Sequence, residues 1–135
     1  MYLTLTGTSA EDADSGQVGR GNRTNGLIAF SRPTGGEAAA GKNPVAHAGK
    51  VYSVLGHRLA RLIHARCPDI LEVYVHLAVR IGEPVDRPWT GVQVILPVGT
   101  TLEDVDTSIR SVVEAEIGRM REFRSELIRG AYPIC

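Results

Sequence analysis

The hydrophobic positions of this 135-residue chain fall into two helical stripes separated by stretches of alternation. In the first stripe, apolar residues recur every three or four positions, as one face of an amphipathic helix requires. Its members are Val51, Val54, Leu55, Leu59, Leu62 and Ile63. Pro44 suits the first turn of a helix, and Pro68 cannot continue one. The pattern therefore predicts a helix over residues 44–66.

Alternating apolar residues predict strands on either side of that helix. Residues 71–81 and 90–96 alternate on the two sides of a Gly-Glu-Pro turn, and residues 2–6 alternate near the start of the chain. A further short strand is expected at residues 27–30. One face of the 71–81 strand carries Val73, Val75, Leu77, Val79 and Ile81, and the other carries Tyr74, His76 and Arg80.

A second helical stripe follows the last strand. Thr100 and Glu103 have the spacing of a capping box, which marks a helix N-terminus. The apolar positions are Leu102, Val105, Ile109, Val112, Val113, Ile117 and Met120, with continuation through Phe123 and Leu127 to Gly130. The order of elements predicts one α+β domain over residues 1–135, a β-sheet with two amphipathic helices packed on one face.

Charge and cysteine usage exclude several classes of protein. The chain has 15 basic and 15 acidic residues, so no net positive field attracts nucleic acid or an anionic membrane. No apolar run approaches transmembrane length. Cys67 and Cys135 are far apart, show no metal spacing and are expected to be free thiols. We therefore expect a cytoplasmic protein without nucleic-acid or membrane partners.

Two glycine-rich loops are the candidate functional segments, because long loops in a compact domain tend to be functional or disordered. They span residues 7–26 and 31–43. The second ends in Gly41-Lys42-Asn43, directly before the predicted helix. Unpaired N–H groups at a helix N-terminus and an adjacent lysine favour an anion such as phosphate. An ordinary solvated turn is the alternative reading of the same residues.

The amino-acid sequences of several segments resemble those of a known protein family. The segments are EAAAGKNPVAHAGKVY at 37–52, YLTLTGTSAE at 2–11, VGRGNRTNGLI at 18–28, Arg32-Pro33, and EVYVHLAVRIGEPV at 72–85. In this order and spacing they resemble the C-terminal portion of archaeal-type S-adenosylmethionine synthetase (methionine adenosyltransferase). The full chain of that family is far longer.

The resemblance implies an activity and a set of site residues. The family joins L-methionine to ATP, forming S-adenosylmethionine and releasing phosphate and diphosphate. By resemblance the catalytic residues are Lys42, Arg20 and His47. The implied ATP and triphosphate contacts are Arg20, Asn22, Arg23, Glu37, Lys42 and Asn43.

Plainer readings of some of these residues stay open. Arg20 and Arg23 could lie in a solvated loop, Asn43 could cap the helix, and His47 could be a hydrogen bonder on the helix face. Lys50 could equally occupy the surface or contact phosphate. Four residues of the first helix read as a solvated face, and Trp89 as a core or interface anchor. The four are His57, Arg58, Arg61 and His64.

The resemblance also implies cofactors and partners. Mg²⁺ and K⁺ are expected, with ligands mostly outside this chain. In this family the active site forms between subunits, so a complementary N-terminal chain or a second subunit is expected. The chain departs from the family at Ala46, usually Asn, and at Glu83, usually Lys. These departures favour the alternative, a non-catalytic assembly or regulatory subunit, and the presence of Arg20, Arg23 and Lys42 counts against it.

Overall fold

The computed structural model describes residues 23–26, 30–35 and 38–134. Over these residues the elements follow the order helix, strand, strand, helix, helix. They are α1 (Ala48–Arg66), β1 (Glu72–Ala78), β2 (Trp89–Ile95), α2 (Leu102–Gly118) and α3 (Met120–Ile128). The predicted strand at 2–6 and most of the one at 27–30 lie outside the described part. Phe30 itself is described and lies exposed in a bend.

The first helix starts later than the sequence predicts. The prediction of a start at Pro44 is wrong, because α1 begins at Ala48. The backbone is extended at His47 (φ −76°, ψ 102°), and the His47 Nδ1 atom accepts the Lys50 amide at 3.3 Å. His47 is therefore the N-cap, and residues 44–46 form a separate turn before it. The predicted C-terminus is confirmed, since Cys67 caps α1 by donating its amide to the carbonyl of Ile63 at 2.9 Å.

The two described strands form an antiparallel ribbon. Glu72 pairs with Ile95 at one end, and Ala78 pairs with Trp89 at the other. β1 is shorter than the predicted 71–81, because the chain turns at Gly82, whose positive φ of 90° suits glycine. Ile81 consequently leaves the apolar face, and its side chain is 89% exposed.

Both long helices cover the same face of the ribbon, which confirms the α+β architecture. The inward residues of β1, Val73, Val75 and Leu77, contact the buried residues of α1. Val105 and Ile109 of α2 are buried against the same ribbon. Apolar burial on one face of each element, of the order of 25 cal/mol per Å², stabilises this arrangement.

The second helical stripe is divided. α2 ends at Gly118, and α3 starts at Met120 after Arg119 leaves helical geometry (φ −102°, ψ 23°). The predicted capping box is displaced by one residue. Thr101, not Thr100, is the N-cap, and its amide donates to the Asp104 carboxylate at 2.8 Å.

No helix among the residues described is long and apolar enough to cross a membrane.

Candidate functional site

The predicted phosphate-binding lysine lies on a tight turn. The Lys42 amide donates to the Ala39 carbonyl at 3.3 Å, and Gly41 between them has a φ of +74°. The Lys50 ammonium, one turn into α1, donates to the Lys42 carbonyl at 2.8 Å. The Lys50 side chain is therefore fixed against the backbone of the turn that carries Lys42.

The N-terminus of α1 is not adjacent to the Lys42 turn, although the sequence predicts that it is. Because α1 begins at Ala48, the Lys42 turn is separated from the helix by residues 43–47. The Asn43 side-chain oxygen accepts the Val45 amide at 2.8 Å, so it stabilises the intervening turn rather than capping α1. Binding of an anion at Lys42 would therefore depend on side-chain charge and on the amides of the turn more than on the α1 dipole.

Arg23 belongs to the same region through a backbone contact. Arg23 and Ala38 form an isolated antiparallel bridge, and Ala38 lies four residues before Lys42 in the chain. The Arg23 Nη1 atom donates to the Thr34 hydroxyl at 3.1 Å, which orients the guanidinium. The fold thus joins the segments that carry Arg23 and Lys42.

His47 lies inside the protein, with only 1% of the residue exposed. Its Nδ1 atom caps α1, which fixes the ring at the helix N-terminus. The geometry therefore gives His47 a structural contact, and its catalytic role stays a prediction. Arg20, Asn22 and Glu37 lie outside the described residues, so their roles stay predictions as well.

The basic face of α1 is more organised than a solvated surface. Arg58 of α1 bonds Glu116 of α2 through two nitrogens, with Nε to Oε2 at 2.5 Å and Nη2 to Oε1 at 3.2 Å. Glu116 is 7% exposed, and the Arg58 guanidinium also lies 5.5 Å from the centroid of the Tyr132 ring. The hydrogen bond to Glu116 raises the pKa of Arg58. This ion pair fastens α1 to α2.

A groove of about 180 Å³ lies beside Arg58. Its polar lining consists of Thr24, Asn25, His57, Arg58, Arg61 and Tyr132. Partial burial, followed by the charge of Arg61, lowers the pKa of His57. The sequence signal for this cluster was the recurrence of basic residues on one helix face, but their partners are distant in the chain.

The described residues do not offer a magnesium site. Among them, no group of three or more His, Cys, Asp or Glu side chains is arranged to hold a metal ion. The side chains of Arg23, Lys42 and Lys50 are cationic, so they suit phosphate oxygens and not a divalent cation. The Mg²⁺ and K⁺ that the resemblance implies, and the place of their ligands, stay predictions.

Comparison with known proteins supplies the family. A family model for S-adenosylmethionine synthetase (AdoMet synthetase) matches residues 1–131. The S-adenosylmethionine synthase of Caldivirga maquilingensis is 44% identical over 130 residues, which cover 96% of this chain and 32% of that protein. The corresponding protein of Aeropyrum pernix is 45% identical over 132 residues, with 96% and 32% covered.

The synthase of Methanosarcina mazei is 42% identical over 131 residues, covering 96% of this chain and 33% of its own. The chain thus spans about a third of the length of the curated relatives it matches. The match extends over nearly the whole chain, including the segment with Arg23 and Lys42. The chain therefore belongs to the S-adenosylmethionine synthetase family.

Proposed function

We propose that this chain forms the C-terminal part of a methionine adenosyltransferase that makes S-adenosylmethionine from ATP and L-methionine. Its share of the site is a triphosphate-binding clamp. The bridge between Arg23 and Ala38 carries this proposal, because it joins the Arg23 segment to the one that carries Lys42. Family membership and the cationic character of the region support it.

The chemistry of the reaction explains why a clamp is useful. The methionine sulfur attacks C5′ of ATP, the C5′–O bond breaks, and the triphosphate leaves with its electron pair. No protein nucleophile is needed, so catalysis rests on orientation and on stabilising charge that grows on the leaving oxygen. Lys42 and Arg23 would donate charge-assisted hydrogen bonds to the triphosphate, and Arg20 would add a third cation.

The remaining predicted residues have supporting roles in this proposal. Asn22 and Asn43 would donate amide hydrogens to phosphate oxygens, and Glu37 would orient the ribose or a metal-bound water. His47 would hold the start of α1 beside the clamp. Mg²⁺, when bound, would neutralise part of the triphosphate charge, and K⁺ is expected with it. The described residues hold no group of carboxylates, histidines or cysteines that fits a metal, so the ligands of both ions would come from other parts of the assembled protein.

A partner is expected because the family resemblance implies an active site formed between subunits, and the chain spans about a third of the relatives it matches. The uncovered side of the ribbon supports a partner surface among the described residues. Trp89 is 66% exposed with its ring across Gly91, and Ile95 at the other end of β2 is also exposed. Exposed apolar groups of this size are typical of an interface. A complementary N-terminal chain or a second subunit would cover them.

Removal of the Lys42 charge tests the clamp. A charge-assisted contact is worth about 1.5–3 kcal/mol, so Lys42→Ala should weaken binding of diimidotriphosphate about tenfold or more. Isothermal titration calorimetry on the assembled protein measures the change. Arg121→Ala is the control, because it removes the same charge from an exposed position on α3. Equal affinities in Lys42→Ala and the parent would contradict the clamp.

A non-catalytic assembly or regulatory subunit is the alternative function, favoured by Ala46 and Glu83. The discriminating assay supplies ATP, methionine, Mg²⁺ and K⁺ to the chain alone and then with a candidate N-terminal partner. We expect S-adenosylmethionine only from the mixture, because the metal ligands are expected on the partner. Formation of S-adenosylmethionine at enzymatic rates by the chain alone would refute the shared site. No product from either the chain alone or the mixture would favour the non-catalytic alternative.

A further inference from the structure

A chain of two hydrogen bonds connects the segment of Arg23 to the first helix. The Arg61 Nη2 atom donates to Asn25 Oδ1 at 3.2 Å, and Asn25 Nδ2 lies 3.0 Å from His57 Nδ1. Guanidinium nitrogens only donate, so the Asn25 atom that faces Arg61 is the oxygen. The amide nitrogen of Asn25 also only donates, so His57 Nδ1 must accept. The contact therefore requires a neutral His57 whose proton is on Nε2.

We propose that Asn25 is a positioning residue, which ties the turn of Arg23 to α1 through Arg61 and through neutral His57, and that the bond to His57 is lost when His57 is protonated. The turn is short, because the Gly26 amide donates to the Arg23 carbonyl at 2.8 Å. Asn25 itself is left-handed, with a φ of 74°, a geometry that Asn, Asp and Gly accept better than other residues. Its side chain therefore restrains the backbone of Arg23 only two residues away.

The surroundings of His57 set the direction of the pH effect. Arg58 and Arg61 from α1 and Tyr132 from the C-terminal segment line the same groove. The carboxylates of that region are engaged elsewhere, Glu116 of α2 by Arg58 and Glu126 of α3 by Tyr132. Burial and the Arg61 charge lower the pKa of His57. The accepting form therefore predominates at neutral pH, and the tie weakens as the pH falls through the lowered pKa of His57.

The restraint can be measured without any ligand. Nuclear magnetic resonance on the full chain gives the exchange protection factor of the Gly26 amide, corrected for the intrinsic effect of pH, and the titration of His57. We expect protection to fall about two- to tenfold as the pH is lowered from neutral through the pKa that His57 shows in this titration, as for the loss of one ordinary hydrogen bond. His57→Asn keeps an acceptor that does not titrate, so its protection should stay constant over this range.

The matched control uses the other histidine on the exposed side of α1. His64→Asn makes the same substitution at an exposed position and should leave the pH profile of Gly26 unchanged. A flat profile in the wild-type chain, or the same slope in His57→Asn, would overturn the proposal. Circular dichroism at each pH checks that both variants keep the helical content of the parent.

Asn25→Asp provides the sharper test, because it should invert the profile. The carboxylate accepts from Arg61 and from protonated His57, but it cannot donate to neutral His57. Protection of Gly26 should therefore rise as the pH falls, and the pKa of His57 should exceed its wild-type value. An unchanged sign of the pH dependence in Asn25→Asp would refute the assigned direction of the hydrogen bonds.

The link to ligand binding rests on the proposed function and is tested separately. Asn25→Gly keeps the backbone geometry and deletes the tie, so it should weaken diimidotriphosphate binding by the assembled protein about two- to tenfold. If Asn25→Asp inverts the exchange profile but Asn25→Gly leaves the affinity unchanged, the contact between Asn25 and α1 is supported and a phosphate contact from Arg23 is not. Failure of the exchange experiment refutes the tie whatever the affinity.

Discussion

Replacing Leu59 by alanine tests the packing on which the whole arrangement depends. Leu59 is fully buried in a cluster with Leu55 of α1 and Phe123 of α3. Removing its buried methyl and methylene groups costs about 2 kcal/mol in transfer free energy, and the remaining cavity adds to that. We expect a loss of about 3 kcal/mol, within the range of about 2–5 kcal/mol for such changes.

Thermal and urea unfolding give the measurement. For a domain of this size a loss of 1 kcal/mol lowers Tm by about 3–5 °C, so Leu59→Ala should melt about 10–15 °C below the parent. Leu102→Ala is the matched control, because Leu102 is 56% exposed at the start of α2. We expect it to change stability by less than about 1 kcal/mol. A Tm for Leu59→Ala within a degree of the parent would mean that this face of α1 is not packed.

Two further predictions concern charged contacts. Glu116→Gln should lower the free energy of unfolding in urea by about 1–3 kcal/mol, because Arg58 loses a charged acceptor. Asp106→Asn, which breaks the exposed pair with Arg110, should lower it by less than about 0.5 kcal/mol. Similar losses in both variants would contradict the importance of burial. Hydrogen bonds from Thr101 hold the pKa of Asp104 below its usual 3.8. A depressed pKa contributes stability above the unfolded-state value that is lost as the pH falls through the folded-state value. Asp104→Asn should therefore lose less stability than the parent on acidification from pH 5 to pH 2, and an identical pH dependence in unfolding titrations would refute the capping role.

Local patterns predicted the elements well, and their boundaries less well. The apolar period identified α1 and α2, and alternation identified β1 and β2, because these periods follow from backbone geometry. The helix start was misplaced because Pro44 fits the first turn of any helix-like segment. Only the ring of His47, which accepts the Lys50 amide, decides that α1 begins at Ala48. Capping depends on a side-chain contact that a sequence pattern does not fix.

Sequence motifs also predicted the family and the candidate site residues. The segment around Lys42 and the glycine-rich segment with Arg23 were sufficient to indicate the synthetase, and the family match agrees. The sequence did not predict the environment of the basic residues on α1. Arg58 read as solvated, since an arginine on a helix face usually is, but it meets Glu116 from α2.

The sequence by itself determined which segments fold as helices and strands, which faces are apolar and which family the chain resembles. Helices, strands and their apolar faces depend on neighbours within a few positions, where backbone geometry relates residues directly, and the family resemblance depends on the order and spacing of several segments. The tertiary structure alone decided that Arg58 pairs with a residue 58 positions away and that His57 meets Asn25 across 32 positions. Such partners depend on how whole elements pack against each other. The hydrophobic burial that drives this packing is not directional, so polar contacts between distant residues form only where the packed elements bring them together.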